Sequence, residues 1–327
     1  MGKNDVGKDD SPILNETELR EDRSSRVPDR RLEAGKAARR GLKITELPRM
    51  KLLLLGILCV GNLLVETWIA VMGPFFPQVA AKKDVSYTVI GVIFACFQFT
   101  IFVSSPVFGS VVSKVGAKFM LVSGLLVSGS CSVLFGFLEG CQSTNTFIAL
   151  SLVTRSVEAL GSAAFLTSSR AIASDTFPDN VAMIYGVMNV FTGIGLMAGF
   201  PLGGVLYEVG GFGLPFWSFG TAILLCAVIS FILIPSAGFS NRPLIEYSGS
   251  FVGLFKSADI CIASWCLLCF TMRLSVTDTT YSIYLEQTFG LSPMWTGLFY
   301  LAPVSAYTII SPVFGWIVDK KVVSKIH

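Results

Sequence analysis

A polar stretch opens the chain, and long apolar runs follow it. Residues 1–51 are rich in Arg, Asp, Glu and Gly and hold no apolar run of span length. Beyond them, runs of about 20 or more apolar residues recur, the length a helix needs to cross a bilayer core. They lie at 52–74, 88–112, 118–138, 146–168, 183–206, 212–235, 258–285 and 294–317. The pattern predicts eight membrane-spanning helices and an all-α integral membrane fold. The first run starts too late and is too long for a cleaved leader. The polar stretch 236–257 predicts a loop, and the tail 1–51 predicts disorder, since it lacks the apolar residues that drive collapse.

Composition agrees. Of 327 residues, 52% are hydrophobic and 14% charged, where a soluble domain carries about 25% charged residues. Thirteen of the 25 Lys and Arg, and ten of the 22 Asp and Glu, fall within 1–51, so the body is neutral. It offers no basic face for nucleic acid. Basic residues in short loops mark the cytoplasmic side. With the N-terminus inside, Lys114, Lys118, Arg170, Arg242, Lys256, Lys320, Lys321 and Lys325 fall inside, and only Lys82 and Lys83 outside. Both ends are therefore expected in the cytoplasm. There the acceptor pattern Asn15-Glu16-Thr17 would stay unglycosylated, and Asp9 with Ile13-Leu14 fits an acidic dileucine sorting signal. Arg39, Arg40, Lys43, Arg49 and Lys51 read either as a topology anchor or as a patch for anionic headgroups. Seven of the eight cysteines sit in apolar runs, as small packing residues do; Cys266-x-x-Cys269 has redox spacing but no second pair.

The chain repeats itself. Ser105-Pro106-Val107-Phe108-Gly109 recurs as Ser311-Pro312-Val313-Phe314-Gly315, an offset of 206. The same offset pairs Ser86 with Ser292, Gly91 with Gly297, and the start of the first span with that of the seventh. Six spans intervene, so the repeat is parallel, as in the two six-helix halves of the major facilitator architecture. The expected organisation is a tail at 1–51, a first half at 52–235, a joining loop at 236–257 and the first two helices of a second half at 258–327. About four further helices are expected for a complete second half, so the sequence reads as a C-terminally truncated form.

Specific motifs extend this to a resemblance. Residues 109–118, Gly-Ser-Val-Val-Ser-Lys-Val-Gly-Ala-Lys, look like the superfamily's loop between helices two and three, with Gly109, Ser113 and Gly116 at its marked positions. Ser113 stands where the family usually has Asp, and the repeat copy keeps that Asp as Asp319. Helix four reads Arg155-Ser-Val-Glu158-Ala-Leu-Gly161-Ser162, similar to the superfamily's intramembrane Arg motif, with Glu158 where Gln is frequent. Helix five carries Gly195, Gly199, Pro201, Gly203 and Gly204, the antiporter motif and the most specific signal in the chain. Glycines four apart permit close helix approach, and proline bends a helix; Phe200 stands where the family commonly has a second proline. The chain resembles the vesicular amine transporter branch of the major facilitator superfamily, most nearly its vesicular polyamine subgroup.

Ionisable groups in mid-span are costly and call for a reason. Arg155 and Glu158 lie three apart, on one helix face. They read either as an ion pair holding helix four in the bundle or as a proton-linked switch, the role the resemblance implies. Asp278 shares a face with Tyr281, and Thr277, Tyr281 and Tyr284 are helical neighbours. A carboxylate beside tyrosines can seat an ammonium group by charge pairing and cation–π contact. Glu66 lies one turn after Asn62 on helix one, although the family register puts the acidic residue at Val65. It reads either as a substrate carboxylate or as a lining residue. The only histidine is His327, so proton coupling would fall to carboxylates.

No nucleotide-binding loop, nucleophile elbow or metal-ligand cluster is evident, so neither an enzyme nor a cofactor is expected. The expected function is proton-coupled antiport of organic cations, polyamines or monoamines, by alternating access. Two alternatives stay open: a drug exporter of the same fold, and a non-transporting truncated fragment or scaffold. The expected partners are a small organic cation, protons and the lipid bilayer, with no nucleic acid. A complete protein is expected to act as a monomer, in a vesicular, endolysosomal or vacuolar membrane rather than the plasma membrane.

Overall fold

A computed structural model describes residues 48–178, 180–234, 258–302 and 305, with backbone alone at position 182 and at many positions of 259–279. The chain forms α1 (Arg49–Val71), α2 (Phe76–Lys82), α3 (Tyr87–Val115), α4 (Ala117–Phe135), α5 (Thr144–Thr176), α6 (Val181–Gly210), α7 (Gly213–Leu233) and α8 (Ala258–Phe289). A further helical stretch occupies 293–302. No strand occurs among the described residues. Among the described residues, six stretches are long and apolar enough to cross a membrane: Arg49–Lys82, Tyr87–Val115, Ala117–Gly140, Thr144–Thr176, Met183–Gly210 and Gly213–Leu233. The seventh expected span falls on α8, and the eighth begins at 293–302. The expected loop at 236–257, the tail up to residue 47, Asp319 and the Ser311–Gly315 copy of the repeat lie outside the described residues.

Local chemistry explains where the helices start and bend. The Ser86 hydroxyl accepts from the Val89 N–H and caps α3. The backbone carbonyls of Ser86 and Ser292 accept from Ile90 and Thr296, so both members of this repeat pair open a helix. Gly116 takes φ 96 between α3 and α4, a conformation glycine adopts without strain. Within α3, Pro106 lacks a backbone donor, and Ser104 and Ser105 donate to Thr100 and Ile101 carbonyls at 2.6 Å. Such back-bonding and proline together bend a helix.

Helix α5 continues to Thr176, eight residues past the expected end of its span. Arg170 therefore lies within a helix and not in a loop. Lys51 donates to the Thr176 carbonyl at 3.0 Å, tying the start of α1 to the end of α5. At the opposite end, Lys83 donates to the carbonyls of Glu139 and Cys141 at 2.8 and 2.9 Å, which binds the α2 end to the α4–α5 connection.

Packing is set by small residues and rings. Gly195, Gly199 and Gly203 of α6 rest against the carbonyls of Leu63, Thr67 and Val71 of α1, one glycine per turn. Gly161 of α5 faces the Gly124 carbonyl of α4, and Gly124 faces that of Gly161, where a Cβ would stand 2.7 Å from oxygen. Phe75, Phe135, Phe212 and Phe216 form a buried aromatic core, and Trp68 meets Phe216 edge-on at 5.2 Å. Phe99, Phe102, Phe119, Leu134, Phe231 and Ile232 remain exposed, as apolar side chains facing lipid do.

Candidate functional site

Two features converge on α1. The first is a sealed charge cluster. Arg155 and Glu158 of α5 are 1% and 0% exposed and form an ion pair of 2.9 Å. The indole Nε1 of Trp68, from α1, donates to the other carboxylate oxygen of Glu158. The Arg155 guanidinium lies 4.1 Å from the centre of the Phe97 ring of α3, a cation–π contact. From α4, the Ser128 hydroxyl donates to the Glu158 backbone carbonyl at 3.3 Å and meets the Ser162 hydroxyl at 3.1 Å. Four helices thus enclose one buried pair, and both carboxylate oxygens are engaged. Such a pair is held by its partners: removing one leaves an uncompensated buried charge.

The second feature is the polar face of α1 below Trp68. Asn62 is 4% exposed and donates to the Leu58 carbonyl at 2.7 Å, which leaves its amide oxygen as an acceptor. It lines a cavity of about 200 Å³ with Arg170 of α5 and with Tyr185, Met188 and Asn189 of α6. Glu66, one turn on, is half-buried and lies in the electrostatic field of Arg170. Val65, the family-register position, is fully buried.

On α8, Tyr281 is half-buried and meets the Tyr300 ring edge-on at 5.5 Å. Tyr300 in turn stacks on Phe200 of α6 at 4.4 Å and 11°, in a cluster with Ala70. Tyr284 is exposed and packs against Phe289. Asp278 stands on the α8 backbone three residues before Tyr281; its side chain lies outside the described residues, as does that of Thr277. Tyr281 and the Asn62–Glu66 face are therefore placed on different elements, and Tyr281 joins the cluster at the Ala70 end of α1.

The motif residues have distinct surroundings. Gly109 faces open space and Ser113 is exposed. Gly204 packs against the Pro293 carbonyl, and Gly297 against the Phe200 carbonyl, where a Cβ would stand 2.5 Å from the oxygen, so α6 contacts α1 on one side and 293–302 on the other. The Glu208 carboxylate accepts from the Met294 N–H at 3.0 Å and caps that helical stretch. At the same end, Gln287 of α8 donates to the Tyr87 hydroxyl of α3 at 2.8 Å.

Sequence reasoning missed Trp68, Phe97, Tyr300, Glu208 and the cavity role of Arg170. The nearest signal was Trp68 sharing a helix with Asn62 and Glu66; the rest are tertiary contacts.

The chain matches the Major Facilitator Superfamily over residues 58–326. It is 36% identical over 251 residues to the MFS-type transporter SLC18B1 of Mus musculus, covering 77% of this chain and 54% of the relative. To the probable vesicular acetylcholine transporter-B of Danio rerio it is 26% identical over 272 residues, covering 80% of this chain and 54% of the relative. To the multidrug resistance protein 1 of Bacillus subtilis it is 25% identical over 238 residues, covering 70% and 59%. The chain spans about half the length of the curated relatives it matches.

Proposed function

We propose a transport function for this chain, which belongs to the major facilitator superfamily and is related to vesicular amine transporters. The reading is proton-coupled antiport of a small organic cation by alternating access, across an internal acidic membrane, with the N-terminus in the cytoplasm. Glu66 and Asn62 take the amine from one side, and Asp278 with Tyr281 offers a second carboxylate and ring on α8. Glu158, held by Arg155 and Trp68, exchanges the proton.

The observation that carries this reading is the double duty of α1. Trp68 closes the Glu158 site, and Asn62, on the same helix, lines the cavity. When Glu158 gains a proton, its hold on Arg155 and Trp68 weakens, and α1 is freed to shift against α5. That shift moves Asn62 and Glu66. The smooth glycine contact between α1 and α6 suits such a sliding motion.

The test is uptake of labelled spermidine and serotonin into proteoliposomes with an acidic interior. It uses this chain and a form completed with the remaining length of a relative. Uptake by the completed form that collapses with a proton uncoupler, and is lost in Glu158→Gln, supports the proposal. A completed, folded protein that moves neither amine under any gradient removes it.

A further inference from the structure

The buried ion pair leaves one donor unused. Arg155 gives Nη1 to Glu158 at 2.9 Å and lays its guanidinium 4.1 Å from the centre of the Phe97 ring. Its buried Nε–H makes no hydrogen bond among the described residues, and neither does the buried Ser151 hydroxyl. Ser151 and Arg155 are 0% and 1% exposed and stand four apart on α5, so they share one helix face. Other helix serines return the hydroxyl to their own backbone: Ser104 to the Thr100 carbonyl and Ser168 to the Ala164 carbonyl, both at 2.6 Å. Ser151 does not, so its hydroxyl is open to a partner outside the helix ladder. Buried polar groups without partners are rare, and a buried charged donor without one is costly.

Side chains four apart on a helix stand about 5–6 Å apart at Cβ, and two hydrogen bonds through one oxygen span about 5–6 Å as well. One water fits that gap: it accepts from the Nε–H and exchanges a hydrogen bond with the hydroxyl, which both donates and accepts. A chloride fits less well. Glu158 already balances the Arg155 charge, so an anion would leave the sealed cluster with an uncompensated negative charge. The other titratable neighbours of the pair among the described residues are thiols, Cys96 of α3 and Cys131 of α4. We propose that one internal water joins Ser151 to Arg155, and that it holds the guanidinium on α5 when Glu158 takes up a proton. The second part of this rests on the antiport reading above. Arg155 then stays with Phe97 and the water, and α1, through Trp68, is the element that lets go. Ser151 is a positioning residue for that step.

A brief X-ray pulse turns a bound water into hydroxyl radicals that mark the side chain beside it. The purified full chain in lipid nanodiscs is pulsed, and hydroxylation is read by mass spectrometry at Phe97 and at Phe212, both buried rings. Phe97 touches the Arg155 guanidinium and should be marked; Phe212, in the aromatic core, should not. Ser151→Thr and Ser151→Val give side chains of one shape that differ by a hydroxyl. The threonine variant should keep the Phe97 mark and the valine variant should lose it. An unmarked Phe97 in the unaltered chain, or a mark that survives Ser151→Val, overturns the water. If the valine variant does not fold, Phe97 against Phe212 in the unaltered chain decides the matter. Amine uptake by the completed form tests the second part: Ser151→Val should respond less to the proton gradient than Ser151→Thr, at equal amine binding. Equal uptake by the two variants overturns that part. A completed, unaltered form that moves no amine removes the antiport reading instead, and the water then stands or falls on the Phe97 mark alone.

Discussion

Trp68 and Glu158 lie 90 residues apart and meet through one hydrogen bond, from the indole Nε1 to a carboxylate oxygen, in a site that solvent does not reach. The contact makes α1 a reporter of what happens on α5. Trp68 also packs edge-on against Phe216, so its ring and its N–H do separate jobs. Trp68→Phe should keep most of the packing and delete the hydrogen bond. The expected cost is about 1–3 kcal/mol, the desolvation penalty of an unsatisfied buried acceptor. Gradient-driven uptake should fall while equilibrium binding of amine is kept. Unaltered uptake in Trp68→Phe would remove α1 from the coupling route.

Glu158→Gln separates the packing role of the ion pair from a proton role. It leaves the Arg155 guanidinium buried without its counter-charge, and breaking such a pair costs about 3–5 kcal/mol. Thermal unfolding in detergent should register that loss. Arg155→Met with Glu158→Leu replaces both charges by apolar groups and should recover most of the stability. If the double variant is stable yet fails to couple uptake to pH, the pair does more than hold the bundle. A stable double variant that still couples would assign the pair to packing alone.

The glycine row of α6 predicts a graded series. A Cβ at Gly203 would run into the Val71 carbonyl, one at Gly199 into the Thr67 carbonyl, and one at Gly91 of α3 would meet nothing within 4 Å. Gly203→Ala and Gly199→Ala should each destabilise by about 1–3 kcal/mol, the usual cost of overpacking. Gly91→Ala should be neutral or slightly stabilising, since alanine is the better helix former. Melting temperatures of the three variants rank the contact; equal values would mean that α1 and α6 do not touch along this row.

How far the sequence reached is clearest at these same positions. The spans were legible because apolar length alone decides what a bilayer accepts, and the glycines at 195, 199 and 203 were legible because their spacing is that of one helix face. Arg155 and Glu158 were paired from their i, i+3 spacing. Their third partner was not, because nothing local in Trp68 points to a residue three spans further along the chain. Arg170 was misplaced because a charge at the edge of an apolar run looks like a loop residue. The structure extends α5 beyond it and turns it toward a cavity. Phe200 read as a departure from a family proline. Its stack on Tyr300 gives the replacement a purpose that only a tertiary contact could reveal.

That stack joins α6 to 293–302 and carries a prediction of its own. Tyr300→Ala should cost the ring pair about 0.5–1.5 kcal/mol beyond the area lost, and loosen the end where Glu208 caps the helix at Met294. Cysteines placed at Glu208 and Met294, in a chain stripped of native thiols, should crosslink readily and do so less when Tyr300 is alanine. Because Glu208→Cys itself deletes the cap, crosslinking that is unaffected would mean that neighbouring packing, such as Gly204 against the Pro293 carbonyl, holds this end without the stack.

If Asp278 and Glu66 take the amine as proposed, from α8 and α1, the two should fail differently. Asp278 lies three residues before Tyr281, whose ring reaches Tyr300 and through it the α1–α6 contact. Asp278→Asn should abolish uptake at every pH tested, in the completed form as in this chain. Glu66 stands one turn from Asn62, which lines a cavity with Asn189 and Tyr185, so Glu66→Gln should raise KM for amine with less effect on the maximal rate. A mutation that removes binding shared by ground and transition states has that kinetic signature. Should Glu66→Gln abolish transport and Asp278→Asn merely raise KM, the roles of the two carboxylates would have to be exchanged. The cavity on α1 would then be the coupled site rather than the entry site.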